Sequence, residues 1–124
     1  MNRTELFSYI AAVYGVEPEY PWADLSDAAV FRHGNNRKWF ALVMLVPGDR
    51  LGLPTGEPVD VENLKGDPLL IGSLLQQPGF RPAYHMSKTH WITVLLGDLV
   101  PEEDLKTLLD MSCELTAVKR KRTE

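Results

Sequence analysis

Hydrophobic and polar positions along the chain follow two different periods, and the changes between them predict eight elements. Apolar residues recur at helical spacing in three segments, near residues 4–14, 67–76 and 101–118. Five shorter segments between them alternate or are apolar throughout, as strands do. The predicted order is α-β-β-β-α-β-β-α. Short turns between the strands favour an α+β fold of two layers, a mostly antiparallel sheet with the helices packed on one face.

The predicted helices have recognisable ends and inner faces. The first runs from Thr4 to Tyr14 and ends at Gly15, and the second begins at Asp67 as N-cap with Pro68 in its first turn. The last begins near Pro101. The stripe predicted to be buried on the first helix is Leu6, Ile10, Val13 and Tyr14, and on the last helix it is Leu105, Leu108, Leu109, Ser112 and Leu115.

The strands differ in how much of them the pattern buries. Residues 29–33 and 38–46 form a predicted hairpin around Gly34-Asn35-Asn36, residues that tolerate positive φ. The second of these strands is apolar on both faces, with odd-numbered residues from Trp39 facing one way and even-numbered residues the other. Residues 58–65 alternate, which predicts a half-exposed strand. Residues 80–84 contain Pro82, which predicts an edge strand, and residues 90–96 are apolar on both faces.

Length and composition bound the class of protein. The chain has 124 residues, 44% of them hydrophobic and 24% charged, which is enough for one domain with a core of its own. We expect this domain to span residues 1–118. Because Cys113 is the single cysteine, an intramolecular disulfide and a cysteine cluster for zinc are both excluded. No segment predicts a signal peptide or a membrane helix, so we expect a cytoplasmic protein with no membrane partner.

The charge is unevenly distributed. The net charge is −4, yet residues 1–118 hold nine basic against sixteen acidic residues, a formal charge of −7. The last six residues, 119–124, include the basic run Lys119-Arg120-Lys121-Arg122 and are predicted to be a disordered tail. An acidic body argues against a dedicated nucleic-acid binder, which usually carries a basic face.

Catalytic constellations are weak in this sequence. His85 and His90 are five residues apart and lack a third ligand, so we predict no metal site. Ser87 lies beside two histidines but in no nucleophile elbow. Cys113 has acidic neighbours, which disfavour a thiolate. We therefore expect a protein that is not an enzyme and needs no cofactor.

Two predicted hairpins are basic while the rest of the body is acidic. Residues 28–48 and 68–97 contain no acidic residue. If their turns lie on the same side, the domain has a positive edge that attracts phosphates. The residues predicted to bind nucleic acid or another anion are Arg32, Arg37, Lys38, Arg81, His85, Lys88 and His90, with Trp91 holding the turn in place. The alternative is that the neighbouring aromatics are core and the cations merely protect edge strands.

One stretch carries a resemblance to a known family. Residues Gly79-Phe80 and Tyr84-His85-Met86-Ser87-Lys88, followed by His90-Trp91, resemble the MmcQ/YjbR family of small bacterial proteins. Pro21-Trp22, Lys38-Trp39-Phe40-Ala41 and Asp67-Pro68 fit as well, and the match spans about residues 6–118. The resemblance implies an α+β fold like that of frataxin/CyaY, DNA binding through a double wing of hairpins, and no established catalytic activity.

These observations leave three hypotheses for function. The first is weak, salt-sensitive binding of DNA phosphates by the hairpins. The second is a non-catalytic module that binds a small anion or a protein partner in a pocket around Tyr84, His85, Lys88 and His90. The third, an unrecognised hydrolase or metal protein, predicts bound metal in the purified sample.

Overall fold

A computed structural model describes residues 1–118 and shows three helices beside a five-stranded sheet. The order of elements is the predicted one, and the α+β fold is confirmed. The predictions for the tail, residues 119–124, lie outside the described residues. The elements are α1 (Arg3–Tyr14), β1 (Ala29–Arg32), β2 (Trp39–Pro47), β3 (Pro58–Lys65), α2 (Pro68–Leu74), β4 (Phe80–Pro82), β5 (Trp91–Leu95) and α3 (Glu102–Thr116).

The order of strands places both basic turns at one end of the sheet. The strands run β1-β2-β3-β5-β4, and every neighbouring pair is antiparallel. Arg32, at the end of β1, pairs with Trp39 at the start of β2. Lys65, at the end of β3, pairs with Trp91 at the start of β5. The turns before β2 and before β5 therefore project from the same end of the sheet.

The two faces of the sheet are covered differently. One face, the helix face, packs against all three helices in a core that includes Leu6, Ile71 and Leu109. The other, which we call the open face, has a smaller cluster of Val46, Leu51, Val61 and Leu95, partly covered by the loop after β2. Among residues 1–118 no helix has the length and hydrophobicity needed to cross a membrane.

The prediction that β3 is half-exposed is wrong. Its residues Val61, Glu62 and Asn63 are completely buried, and Leu64 is almost so. The reason is the order of strands, which places β3 in the centre of the sheet between β2 and β5. The polar residues that suggested exposure are thus polar groups inside the protein.

A β-bulge breaks the predicted alternation along β2. Phe31 pairs with Ala41 but Arg32 pairs with Trp39, so Phe40 is an extra residue in the strand. Phe40 therefore joins Ala41 and Val43 in the core of the helix face, which corrects the assignment of Phe40 to the opposite face.

Two positions predicted to be buried on helices are exposed. Val13 is 53% exposed and Leu115 is 47% exposed. On α1, Tyr14 takes the contact with the sheet, with its ring 5.8 Å from that of Phe40. On α3, Thr116 is the buried residue one turn after Ser112. The predicted cap of α2 is confirmed, because the Asp67 carboxylate accepts a hydrogen bond from the Leu69 amide at 2.9 Å.

Candidate functional site

The end of the sheet that carries both basic turns forms a shallow groove, which we call the hairpin rim. It is lined by Arg37, Lys38, Trp39, Lys65 and Trp91, together with Thr116, and encloses about 290 Å³. Three cations surround two half-buried indole rings. Such a surface can contact a phosphate backbone by charge and a base by stacking.

A carboxylate lies close to one side of the hairpin rim. Glu19 accepts two hydrogen bonds from Arg37, at 2.8 and 3.0 Å, and its Oε1 lies 3.4 Å from Nε of Arg32. The Arg32 guanidinium also lies 5.5 Å from the ring of Trp39. The charge of Arg32 is therefore engaged in contacts within the fold. Arg37 is held in an exposed ion pair, and breaking such a pair costs little free energy.

The turn between β4 and β5 is fixed to the central strand by a buried polar network. Thr93 donates from its hydroxyl to the Asn63 side chain at 2.5 Å, and Asn63 donates to the Tyr84 carbonyl at 2.9 Å. The Tyr84 amide donates to the Thr93 hydroxyl oxygen at 2.9 Å. Tyr84 therefore lies over β3 on the open face. These hydrogen bonds fix the backbone position from which the rest of the turn begins.

On one side of Tyr84 lies a cavity that we call the cationic cleft. It encloses about 330 Å³ and its charged walls are Arg50, Arg81 and Lys88, with no carboxylate among its lining residues. Arg81 donates to the backbone carbonyls of Leu51 at 2.8 Å, and of Pro78 and Phe80 at the same distance. Lys88 donates to the Ala83 carbonyl at 3.0 Å.

On the other side of Tyr84 lies a cavity that we call the aromatic pocket. It encloses about 370 Å³ over the open face of β2. The rings of Trp22 and Trp39 meet edge to face at 5.6 Å, which ties the loop before β1 to the start of β2. Its lining residues are Trp22, Leu25, Asp27, Ala28, Trp39, Leu42, Met44, Leu45, Pro47, Tyr84, His85 and Met86.

Within the described chain, two residues other than glycine have positive φ. One lies in the turn between β1 and β2, and the other lies in the turn between β4 and β5. Arg37 has φ 62° and His85 has φ 60°. Gly34, Asn35 and Asn36 in the first turn, which tolerate positive φ, do not adopt it. A left-handed backbone costs such residues roughly 1–2 kcal/mol. Strain of this kind concentrates at functional sites.

The structure brings the predicted residues together in two groups. Arg37 and Lys38 meet at the hairpin rim beside Trp91, and Arg81, His85 and Lys88 line the cationic cleft. His90 is exposed and lies outside the lining of both, with its carbonyl accepting a hydrogen bond from Gly66.

Two cations at these sites were not found from the sequence. Lys65 follows the buried half of β3, and Arg50 lies in the turn after β2. The alternation of residues 58–65 already placed Lys65 at the end of a predicted strand. Its position beside Lys38 depends on strand order, which no local pattern contains.

A model of the YjbR family matches residues 11–115. The chain belongs to the YjbR family. The Bacillus subtilis (strain 168) protein YyaQ, described as uncharacterised, is 35% identical over 116 residues, which cover 94% of this chain and 98% of YyaQ. The predicted resemblance to MmcQ/YjbR is therefore confirmed.

Solved structures share the fold of this YjbR domain. A Pseudomonas syringae protein in a crystal structure is 44% identical, with a TM-score of 0.92 over 94% of this chain and all of the other. A Deinococcus radiodurans protein with a DUF419 domain is 26% identical, with a TM-score of 0.66 over 90% of this chain and 75% of the other. The likeness to frataxin/CyaY stays a prediction.

Three titratable groups of the YjbR domain lie outside the lining of both cavities of the open face: Glu62 is completely buried, and Tyr14 and Cys113 are partly buried. Burial raises the pKa of Glu62 to about 8, and its two carboxylate oxygens have no hydrogen-bond partner. Burial, and then the charge of Asp110, raises the pKa of the Cys113 thiol to about 12. Burial and a hydrogen bond to Asp110 raise the pKa of Tyr14. The thiol therefore stays protonated and is a poor nucleophile at neutral pH.

Metal ligands do not converge in the described part of the YjbR domain. Among residues 1–118, no three side chains of the His, Cys, Asp or Glu type are placed to hold one ion. His33 instead hydrogen-bonds the Thr116 hydroxyl at 2.7 Å.

Proposed function

We propose that this YjbR domain is a non-catalytic protein that binds DNA weakly through the phosphate backbone. The observation that supports this most directly is the meeting of Arg37, Lys38 and Lys65 around two indole rings at the hairpin rim. The two basic turns correspond to the double wing of hairpins implied by the resemblance. Few phosphate contacts and an acidic body make the expected affinity low and strongly dependent on salt.

Single substitutions of lysine to glutamine test the hairpin rim. We expect Lys38→Gln and Lys65→Gln each to weaken binding of a fluorescent 20-base-pair duplex at low salt by about two- to fivefold. The slope of log affinity against log salt should fall in magnitude by about 0.9 for each phosphate that the variant no longer neutralises. Fluorescence anisotropy over a series of salt concentrations measures both.

Lys106→Gln is the matched control. Lys106 lies early in α3, 3.8 Å from a carboxylate oxygen of Glu102 and 5.1 Å from the ring of Tyr9. Its replacement should leave DNA affinity unchanged, because it is remote from the rim. Absence of binding at low salt, or equal losses for Lys38→Gln and Lys106→Gln, defeats the proposal.

Glu19→Gln gives a gain-of-function test of the same surface. Replacing this carboxylate by an amide breaks the ion pair with Arg37 and leaves one oxygen, not two, to accept from it. It also makes the charge beside the rim one unit more positive. We expect tighter DNA binding in low salt. A weaker complex would show that Glu19 positions Arg37 for binding and does not compete with DNA.

The second candidate function is binding of a small anion in the cationic cleft. It is favoured by the absence of any carboxylate from a cavity with three cationic walls. Isothermal titration with inorganic phosphate tests it, and Arg50→Gln together with Lys88→Gln should abolish the heat of binding. No heat with the unchanged protein would exclude this candidate.

A further inference from the structure

Tyr84 and His85 are shared by the cationic cleft and the aromatic pocket. Both residues line both cavities. Their rings lie 4.0 Å apart, centroid to centroid, above the central strand. Asn63 holds the Tyr84 backbone through its carbonyl at 2.9 Å. The two side chains border a charged cavity on one side and an apolar cavity on the other.

The apolar side fits a flat hydrophobic group. The aromatic pocket presents the rings of Trp22 and Trp39 and the thioethers of Met44 and Met86. Its volume of about 370 Å³ lies at the lower end of the range of roughly 300–1,000 Å³ found for small-molecule sites. Thioethers and indoles both make favourable contacts with aromatic rings.

The charged side fits an anionic group. Arg81 is oriented by three backbone carbonyls, so its guanidinium is ordered before any ligand arrives. The side chain of Arg50 is exposed and forms no salt bridge within residues 1–118. The aromatic pocket has one acidic residue, Asp27, whose carboxylate accepts a hydrogen bond from the Leu45 amide at 2.9 Å.

We propose that the two cavities form one site for an organic anion with a flat apolar body. The body lies in the aromatic pocket, and a phosphate, sulfonate or carboxylate group reaches the cationic cleft past Tyr84 and His85. This inference rests on the second candidate function, anion binding in the cationic cleft. It adds the chemical class of the ligand and a role for the aromatic pocket.

A series of naphthylalkyl phosphates, with linkers of zero to four methylene groups, tests the proposal. Each phosphate is compared by isothermal titration with its matched neutral alcohol and with inorganic phosphate. Joining two binding groups raises the effective concentration of the second. We therefore expect one linker length to bind at least about tenfold more tightly than both the alcohol and inorganic phosphate.

Two sets of variants separate the halves of the site. Trp22→Ala should weaken the naphthyl phosphate and the alcohol by a similar factor and leave inorganic phosphate unchanged. Arg50→Gln with Lys88→Gln should weaken the naphthyl phosphate and inorganic phosphate but leave the alcohol unchanged. Circular dichroism and thermal unfolding confirm that each variant is folded.

The possible failures point to different parts of the inference. If inorganic phosphate binds and no naphthyl phosphate binds more tightly, the combined site is wrong and the anion site stands. If nothing anionic binds, both are wrong. A dimer in sedimentation that Leu45→Glu dissociates would show that a second copy covers the aromatic pocket, which also overturns the combined site.

Discussion

Glu62 places a carboxyl group in the core of the helix face. It lies on β3 between its cross-strand neighbours Val43 and Val94, and it is completely buried. Neither carboxylate oxygen has a hydrogen-bond partner in the structure. Since a charged carboxylate in this position has no compensating contact, desolvation raises the pKa of Glu62 from 4.5 to about 8. The neutral acid is therefore the form that the folded state favours.

This burial predicts that stability falls as pH rises. Between about pH 4.5 and pH 8 the folded protein keeps the proton on Glu62 and the unfolded chain has lost it. The stability that the folded protein gains by keeping Glu62 neutral is fully present below pH 4.5. It is lost by pH 8, at up to roughly 1.4 kcal/mol for each pH unit. Glu62→Gln should remove this dependence. The variant should match the unchanged protein near pH 4.5 and exceed its stability by a few kcal/mol at pH 8.

Urea unfolding at a series of pH values measures the effect as a difference between the two proteins. Asp60→Asn is the control on the same strand, because Asp60 is partly exposed and paired with Arg3 at 2.9 Å. Removing its charge should cost at most about 1 kcal/mol. Parallel pH profiles for Glu62→Gln and the unchanged protein would contradict the prediction.

The left-handed backbone at His85 predicts opposite effects on stability and on binding. His85→Gly relieves the strain of φ 60°, so the free energy of unfolding should rise by up to about 1 kcal/mol. Removal of the ring should also weaken the naphthyl phosphate. Arg50→Gly is the control for stability, because a glycine without such strain to relieve costs about 0.5–1 kcal/mol. A less stable His85→Gly protein would show that the ring contributes more by packing than the strain costs.

At the scale of elements, α3 is joined to the sheet by one buried hydroxyl. Ser112 donates to the Phe40 carbonyl at 2.6 Å and accepts from the Lys65 amide at 2.9 Å. Phe40 is the extra residue of the bulge, and Lys65 ends the central strand. Ser112 thus satisfies backbone groups at the places where the ladders on either side of β3 end.

Ser112→Ala should destabilise the protein and disturb the hairpin rim. Two buried backbone groups would lose a partner, which costs about 1–3 kcal/mol for each group. Thermal and urea unfolding measure this destabilisation, and anisotropy should show weaker DNA binding because Lys65 loses its anchor. Ser8→Ala, at an exposed position of α1, should change stability by less than about 0.5 kcal/mol. Equal effects of the two substitutions would refute the role of Ser112.

At the scale of the whole molecule, local charge opposes net charge. Residues 1–118 carry a formal charge of −7, yet the hairpin rim groups three cations and the cationic cleft groups three more. Long-range repulsion of DNA is screened within about 10 Å at 0.1 M salt, whereas phosphate contacts act at the surface itself. The acidic body therefore limits affinity most strongly when salt is low.

Removal of residues 119–124 should weaken DNA binding in low salt. The deletion takes away four basic residues and one acidic residue, and it lowers the net charge from −4 to −7. Because the buried residues of the described chain end at Thr116, the melting temperature should not change. Anisotropy on the two proteins makes the comparison, with differences shrinking as salt increases. Equal affinities in low salt would show that the basic run takes no part in binding.

The sequence by itself determined the elements and their order. Period and end signals, such as Asp67-Pro68 before α2, are local properties of the chain, and the helices and strands form where they predict. The composition also showed that two turns carry basic residues and no acidic residue. Only the tertiary structure decided which residues are buried and which lie close together. It places β3 in the centre of the sheet and buries Glu62. It also brings Lys65 beside Lys38, and Arg50 beside Arg81. Burial and proximity depend on strand order, which is set by contacts between distant residues and leaves no trace in any short window of sequence.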